Sequence, residues 1–131
     1  MFRLDPGVLL AAFLLASCAG SVRVSDAGNG VKASPKPKGC AMPFLRAKPP
    51  DRPFDELASL HYSGGMNREG DPAQAESSLR ERACELGADA LVVSREFVPG
   101  VAGAHGSPPF MSATAIVYRP AATGDPAASG R

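Results

Sequence analysis

Three cysteines and two histidines are the side chains of this 131-residue sequence best suited to chemistry. Four of them, Cys40, His61, Cys84 and His105, could together form a tetrahedral site of two thiolates and two imidazoles for a metal such as zinc. No two of these four have the spacing of about two to four residues that lets one short loop arrange two ligands. We therefore predict no metal site, and metal binding remains the alternative hypothesis.

A catalytic site would need a nucleophile, a base and a group that stabilises the transition state. No serine stands in a Gly-x-Ser-x-Gly elbow, and Gly64-Gly65 lacks the following Lys-Ser or Lys-Thr of a phosphate-binding loop. His61 alternates with Leu60 and Tyr62, which places it on the other face of a strand, at the surface. His105 lies in a loop rich in Gly and Pro, where we expect it in solvent. The sequence thus predicts no catalytic residue, no cofactor and no enzymatic activity.

Cys18 follows an apolar run from Val8 to Ala16. A membrane-spanning helix needs about 20 apolar residues, so this run is too short to cross a bilayer and instead suits the apolar core of a signal peptide. The run ends in Leu15-Ala16-Ser17-Cys18, which resembles the lipobox of bacterial lipoproteins. The resemblance implies that diacylglycerol is joined to the Cys18 sulfur and that cleavage leaves Cys18 first in the mature chain. Because Ala19 and not Asp follows, it also implies export to the outer membrane.

Composition divides the rest of the chain. We predict a signal peptide over 1–17, an acylated cysteine and a flexible Pro- and Lys-containing tether over 18–39, a folded domain over 40–119 and a disordered tail over 120–131. The tether has few large apolar residues, so it could bury little surface to offset its ordering entropy. Basic and acidic side chains number 14 and 13, which argues against nucleic acid as a partner because its binding proteins concentrate positive charge.

The predicted domain has a readable order of elements. Strands are expected at Cys40–Leu45 and Phe54–Tyr62, the second with Glu56, Ala58, Leu60 and Tyr62 on one face. A short helix is the alternative for the second segment, because Phe54, Leu57 and Leu60 are also spaced three apart. A helix follows, with Asp71 as N-cap, Pro72 at its first position and Gly87 as its left-handed stop. Its apolar stripe is predicted from residues at helical spacing: Ala75, Leu79, Ala83 and Leu86. Further strands are expected at Ala88–Val98 and Ser112–Tyr118. The order β-β-α-β-β predicts an α+β domain of two layers, one helix packed on one sheet.

Cys40 and Cys84 are the two cysteines left once Cys18 carries lipid. Two cysteines can pair, and the compartment outside the cytoplasm is oxidising, so we predict a disulfide between them. Cys84 also lies off the apolar stripe of the helix, where an uncovered thiol would be reactive. The alternative is that Cys84 is a small buried hydrophobic residue and Cys40 a surface thiol.

One stretch resembles a known family. "LRERACELGADALVV" (Leu79 to Val93) and the upstream "LHYSGG" are similar to the helix-to-strand and strand-end motifs of YbjQ-like domains and of RcsF-like outer-membrane stress-sensor lipoproteins. The resemblance covers about Phe54 to Tyr118. It implies an envelope lipoprotein that acts through contacts with a protein partner and senses envelope stress, with its domain in the periplasm or at the cell surface. RcsF has two disulfides, whereas this chain keeps two cysteines after Cys18. YbjQ-like domains also carry a heavy-metal label, so the alternative function is a periplasmic lipoprotein that binds a metal or a small ligand.

Overall fold

The computed structural model describes residues 20–48, 50–66 and 68–120. The predicted signal peptide, the lipidation residue Cys18 and the tail beyond Pro120 lie outside the described residues. Within them are five strands and one helix, here named in chain order: β1 Ser21–Asp26, β2 Phe44–Leu45, β3 Phe54–Ser63, α1 Pro72–Leu86, β4 Ala90–Val98 and β5 Phe110–Tyr118.

The five strands form one mixed sheet with the order β1-β3-β5-β4-β2. All neighbouring strands are antiparallel except β2 and β4, which run parallel. Helix α1 packs on one face of this sheet. The protein is therefore an α+β fold of two layers, and the order β-β-α-β-β is confirmed over 40–119, with one further strand, β1, preceding it.

Strand β1 corrects the predicted tether. Its six residues pair antiparallel with β3, from Ser21 opposite Ser63 to Asp26 opposite Ala58. Val22 and Val24 alternate with polar neighbours, and this period of two turns both valines onto the core beside α1. Two half-buried valines and the backbone hydrogen bonds of an edge strand are enough to order the segment, although it lacks a run of large apolar residues. The prediction of flexibility is wrong for residues 20–39.

Residues 27–39, which we call the strap, continue from β1 across the end of α1. The Lys36 N–H donates to the Cys84 carbonyl oxygen at 2.8 Å, and the Ala27 N–H donates to the Leu57 carbonyl oxygen at 3.2 Å. Val31 and Ala33 pack against the core. The Pro- and Lys-containing segment is thus part of the domain.

Helix α1 begins and ends where the sequence predicts. The Asp71 carboxylate accepts a hydrogen bond from the Ala73 N–H at 2.9 Å, and Gly87 closes the helix with a left-handed φ of 78°. Ala75, Leu79 and Ala83 of the predicted stripe are fully buried, whereas Leu86 is half-buried and Cys84, beside the stripe, is buried as well. Two alanines on this stripe let the helix axis approach the sheet closely.

The strands differ from the prediction in their bounds and in one buried face. The first predicted strand, Cys40–Leu45, is reduced to Phe44–Leu45, β4 begins at Ala90 and not at Ala88, and β5 begins at Phe110 and not at Ser112. In β3, Ala58, Leu60 and Tyr62 are buried as expected, but Glu56 is exposed. A register shift between Glu56 and Ala58 breaks the alternation, as a β-bulge does, so that Leu57 and Ala58 are both buried.

Candidate functional site

Cys40 and Cys84 are joined. They form a disulfide, and their Cα atoms lie 6.0 Å apart, within the range that disulfides span. Cys84 is buried on α1, and Cys40 is half-buried where the strap leads toward β2. Metal ions are bound by thiolates, and sulfurs bonded to each other supply none.

The two histidines lie apart from this disulfide. His61 is exposed on β3, on the face of the sheet opposite to Leu60 and Tyr62, and His105 is exposed in the loop between β4 and β5. Among the described residues, no group of three or more His, Cys, Asp and Glu side chains is arranged to hold a metal ion. The four residues named by the alternative hypothesis are therefore divided among a disulfide, a sheet face and a loop.

His61 belongs to a polar band on the sheet face that turns away from α1, which we call the open face. Strand register aligns Arg23, His61, Ser112 and Arg95 across four strands. In the next row toward the C-terminal end of β5, Ser59 lies opposite Thr114. Side chains that are aligned in register share a face of the sheet, so residues from four separate strands form one surface.

The contacts within this band are specific. His61 Nδ1 lies 2.7 Å from the Ser112 hydroxyl oxygen. The His61 ring stacks on the Phe110 ring, with centroids 6.0 Å apart and an angle of 21° between the planes. The Arg95 guanidinium lies 5.6 Å from the Phe110 centroid, within the distance of a cation–π contact. Phe110 is thereby held between an imidazole and a guanidinium on the open face.

A serine beside a histidine also raises the question of nucleophilic catalysis. An activated serine needs its histidine to be oriented by a third group, with donors nearby for an oxyanion. None of the hydrogen bonds in residues 20–48, 50–66 and 68–120 joins His61 to a carboxylate. His61 is exposed and Ser112 is half-buried, and the aromatic ring of Phe110 lies beside them.

A shallow groove lies between β1, the strap and the end of α1. It is lined mainly by apolar side chains, among them Val24, Val31, Leu57 and Leu86, and its volume is about 160 Å³. Pockets for drug-sized ligands measure about 300 Å³ or more. The groove is therefore too small for such ligands.

No protein-family model, curated protein or solved structure matches this chain. No helix in the described ranges is long and apolar enough to cross a membrane.

The sequence predicts His61 at the surface and a bond between the two cysteines, but it does not predict the rest of the open face. Arg23 falls within the predicted tether, and no motif distinguishes Arg95 or Phe110. The alternation of Val22 and Val24 with polar residues was the available signal for β1.

Proposed function

We propose that this protein is a lipoprotein of the cell envelope, anchored in the outer membrane through Cys18, that acts by protein contacts and not by catalysis. Two independent features support a location in the cell envelope, outside the cytoplasm. One is the lipobox-like sequence Leu15-Ala16-Ser17-Cys18. The other is the Cys40–Cys84 pair at disulfide distance, since structural disulfides persist in oxidising compartments. Envelope stress sensing is the role that the RcsF-like resemblance implies.

The open face supports the protein-contact function, and it is the observation on which the proposal depends. Aromatic and arginine side chains dominate the energetics of protein interfaces, and here Phe110, Arg95 and Arg23 stand together on an ordered sheet. The outer side of α1 offers a weaker surface. Its charges form surface ion pairs, with one another in Arg82–Glu85, with the strap in Lys38–Glu81 and with Arg46 in Arg46–Glu76. Such pairs are ordinary for a solvated helix face.

The anchor is tested by Cys18→Ser. We expect this variant to leave the membrane fraction and to lose labelling by a fatty-acid analogue. The matched control is Cys40→Ala combined with Cys84→Ala, which keeps Cys18 and should keep the label. Unchanged membrane association and labelling of Cys18→Ser would overturn the lipoprotein assignment.

The contact surface is tested by site-specific photo-crosslinking in living cells. A photoreactive residue at Thr114, on the open face, should capture one defined envelope protein, and the same residue at the exposed Ser77 on α1 should not. Adding Arg95→Ala should weaken the capture from Thr114 because it removes the cation–π contact on Phe110. Equal capture from both positions, or capture only from Ser77, would show that the open face is not the interface.

A further inference from the structure

The exposed apolar side chains of this protein are unevenly placed. Within the described residues, three large hydrophobic side chains are exposed: Met66 at 61%, Val101 at 59% and Val98 at 39%. Val98 ends β4, Val101 follows it by three residues, and Met66 follows the end of β3 by three residues. All three therefore lie at the end of the sheet where β3 and β4 finish, which we call the apolar end.

The loops at this end are tied to one another. The Gly64 N–H donates to the Pro109 carbonyl oxygen and the Gly100 N–H to the Glu69 carbonyl oxygen, both at 2.9 Å. Val101 and Ser107 exchange two backbone hydrogen bonds at 2.9 and 3.0 Å. At Gly100, a side chain would collide with the Arg68 carbonyl oxygen. Met66 and Val101 thus project from loops joined into one surface.

The N-terminus of the described chain enters at the same end. Ser21 lies opposite Ser63, and Ser63 lies opposite Phe110, the first residue of β5. Gly20 stands against the Tyr62 ring, where a side chain would collide with it. Cys18 is two residues before Gly20, and two extended residues span at most about 7 Å. An acyl anchor on Cys18 therefore holds this end of the sheet next to the bilayer.

Charge distinguishes the two ends of the sheet. The loop over 99–108 contains no Lys, Arg, Asp or Glu, and its only titratable side chain is His105. The other loop, between β3 and α1, carries one positive charge, Arg68, and two negative charges, Glu69 and the helix N-cap Asp71. The opposite end of the sheet, where β1 and β5 finish and which we call the far end, instead carries the ion pairs Asp26–Lys32 and Asp55–Arg119. Apolar side chains gain free energy on leaving water, whereas charged groups lose it.

We propose that the apolar end docks on the bilayer, with Met66 and Val101 inserted at the boundary of headgroups and acyl chains. This inference rests on the proposed acylation of Cys18, which supplies the proximity. Insertion gives the domain a fixed orientation, with β1 and β3 rising from the membrane and the open face standing beside it, accessible to a partner protein. Because the loops are nearly neutral, the docking is apolar and does not depend on anionic lipid.

The sequence contains no tryptophan, so a single introduced indole reports on its own position. Val101→Trp is made in the full acylated protein, which is reconstituted in phosphatidylcholine vesicles with brominated acyl chains. We expect the emission of the introduced indole to move to shorter wavelength and to be quenched by the bromine. The matched control is Lys32→Trp at the exposed far end, whose emission should be quenched by aqueous iodide and not by the brominated lipid.

A second measurement uses the full mature chain with Cys18→Ser, which removes the acyl anchor. Its weak partitioning into phosphatidylcholine vesicles should fall about tenfold when Met66→Ser and Val101→Ser are added. The two replacements remove apolar transfer free energy that corresponds to about a factor of ten in the partition coefficient. High salt should leave the partitioning unchanged. Equal partitioning of the chains with and without the two serines would overturn the docking.

The outcomes separate the two proposals. If Cys18 carries no fatty-acid label, the lipoprotein assignment fails and the docking fails with it. If Cys18 is labelled normally but the indole of the Val101→Trp variant is quenched by iodide and not by brominated lipid, only the docking is overturned. An emission shift of that variant in native envelopes but not in pure lipid vesicles would also overturn it, because a protein would then cover the apolar end.

Discussion

Lys36 and Asp89 form an ion pair across 53 residues of sequence, with Lys36 Nζ 2.7 Å from Asp89 Oδ1. The same ammonium group donates to the Ala88 carbonyl oxygen at 2.7 Å, and Asp89 Oδ2 accepts from the Tyr118 N–H at 2.8 Å. One carboxylate thus joins the strap, the start of β4 and the end of β5. Burial alone would raise the pKa of Asp89, but the hydrogen bonds from Lys36 and Tyr118 outweigh it and hold the pKa below its ordinary value.

This pairing predicts a pH dependence of stability. A carboxyl whose pKa is lower in the folded state stabilises the fold above its unfolded pKa of about 4, and that stabilisation is lost as the pH falls through the folded pKa. Asp89→Asn should therefore lower the free energy of unfolding at pH 7 by about 2 kcal/mol, and the difference from the wild type should shrink below about pH 4. Urea unfolding across this range measures both effects. The exposed Asp51→Asn serves as the control with little change, and an Asp89→Asn difference that persists undiminished at low pH would contradict the assignment.

Gly87 should tolerate no side chain. Its φ of 78° is left-handed, and a Cβ there would also collide with the Ser34 carbonyl oxygen of the strap. Gly30 has nearly the same φ, 74°, with nothing within 4 Å of the added Cβ. We expect Gly30→Ala to cost about 1 kcal/mol from backbone strain alone and Gly87→Ala to cost clearly more. Thermal unfolding of both variants separates the cost of the collision from the cost of backbone strain. Equal losses of stability would mean that the strap moves aside freely.

The Cys40–Cys84 disulfide should contribute much of the stability of this small domain. It closes a separation of 44 residues, for which the chain-entropy relation gives about 4 kcal/mol. Replacing both cysteines by alanine should lower the free energy of unfolding by roughly that amount, and reductant should then have no further effect on the variant. Alkylation of the wild-type protein purified without reductant, followed by mass spectrometry, should find neither thiol modified. Modification of both would exclude the bond in the mature protein.

Amide hydrogen exchange should be slow in β1 and the strap and rapid in the loop between β4 and β5. The amides of Ala27 and Lys36 donate within the fold, so they should exchange slowly, together with the β1 amides that face β3. Ala102, in the exposed loop between β4 and β5, should exchange rapidly and serve as the internal reference. Complete exchange of Lys36 within seconds would mean that the strap opens readily in solution.

The features that the sequence predicted correctly are mostly local. Asp71, Pro72 and Gly87 bound α1 because capping depends on the chemistry of a few adjacent residues. The predicted stripe of Ala75, Leu79, Ala83 and Leu86 identified the buried face, although Leu86 is only half-buried, because helical spacing is a property of the helix alone. The pairing of the cysteines followed from their number and from the predicted oxidising compartment, and the structure joins them in a disulfide.

Tertiary structure decided the rest. Ser21–Asp26 forms a strand only because β3, far along the chain, offers it an unpaired edge, and no pattern within the segment itself states that such an edge exists. The bulge after Glu56 moves one side chain to the other face, a change that alternation cannot foresee. The open face likewise depends on register, since Arg23, His61, Ser112 and Arg95 become neighbours only when four strands align. Local propensity selects elements, whereas the burial of Val22 and Val24 against α1 and the backbone hydrogen bonds to a distant strand determine which segments join the sheet.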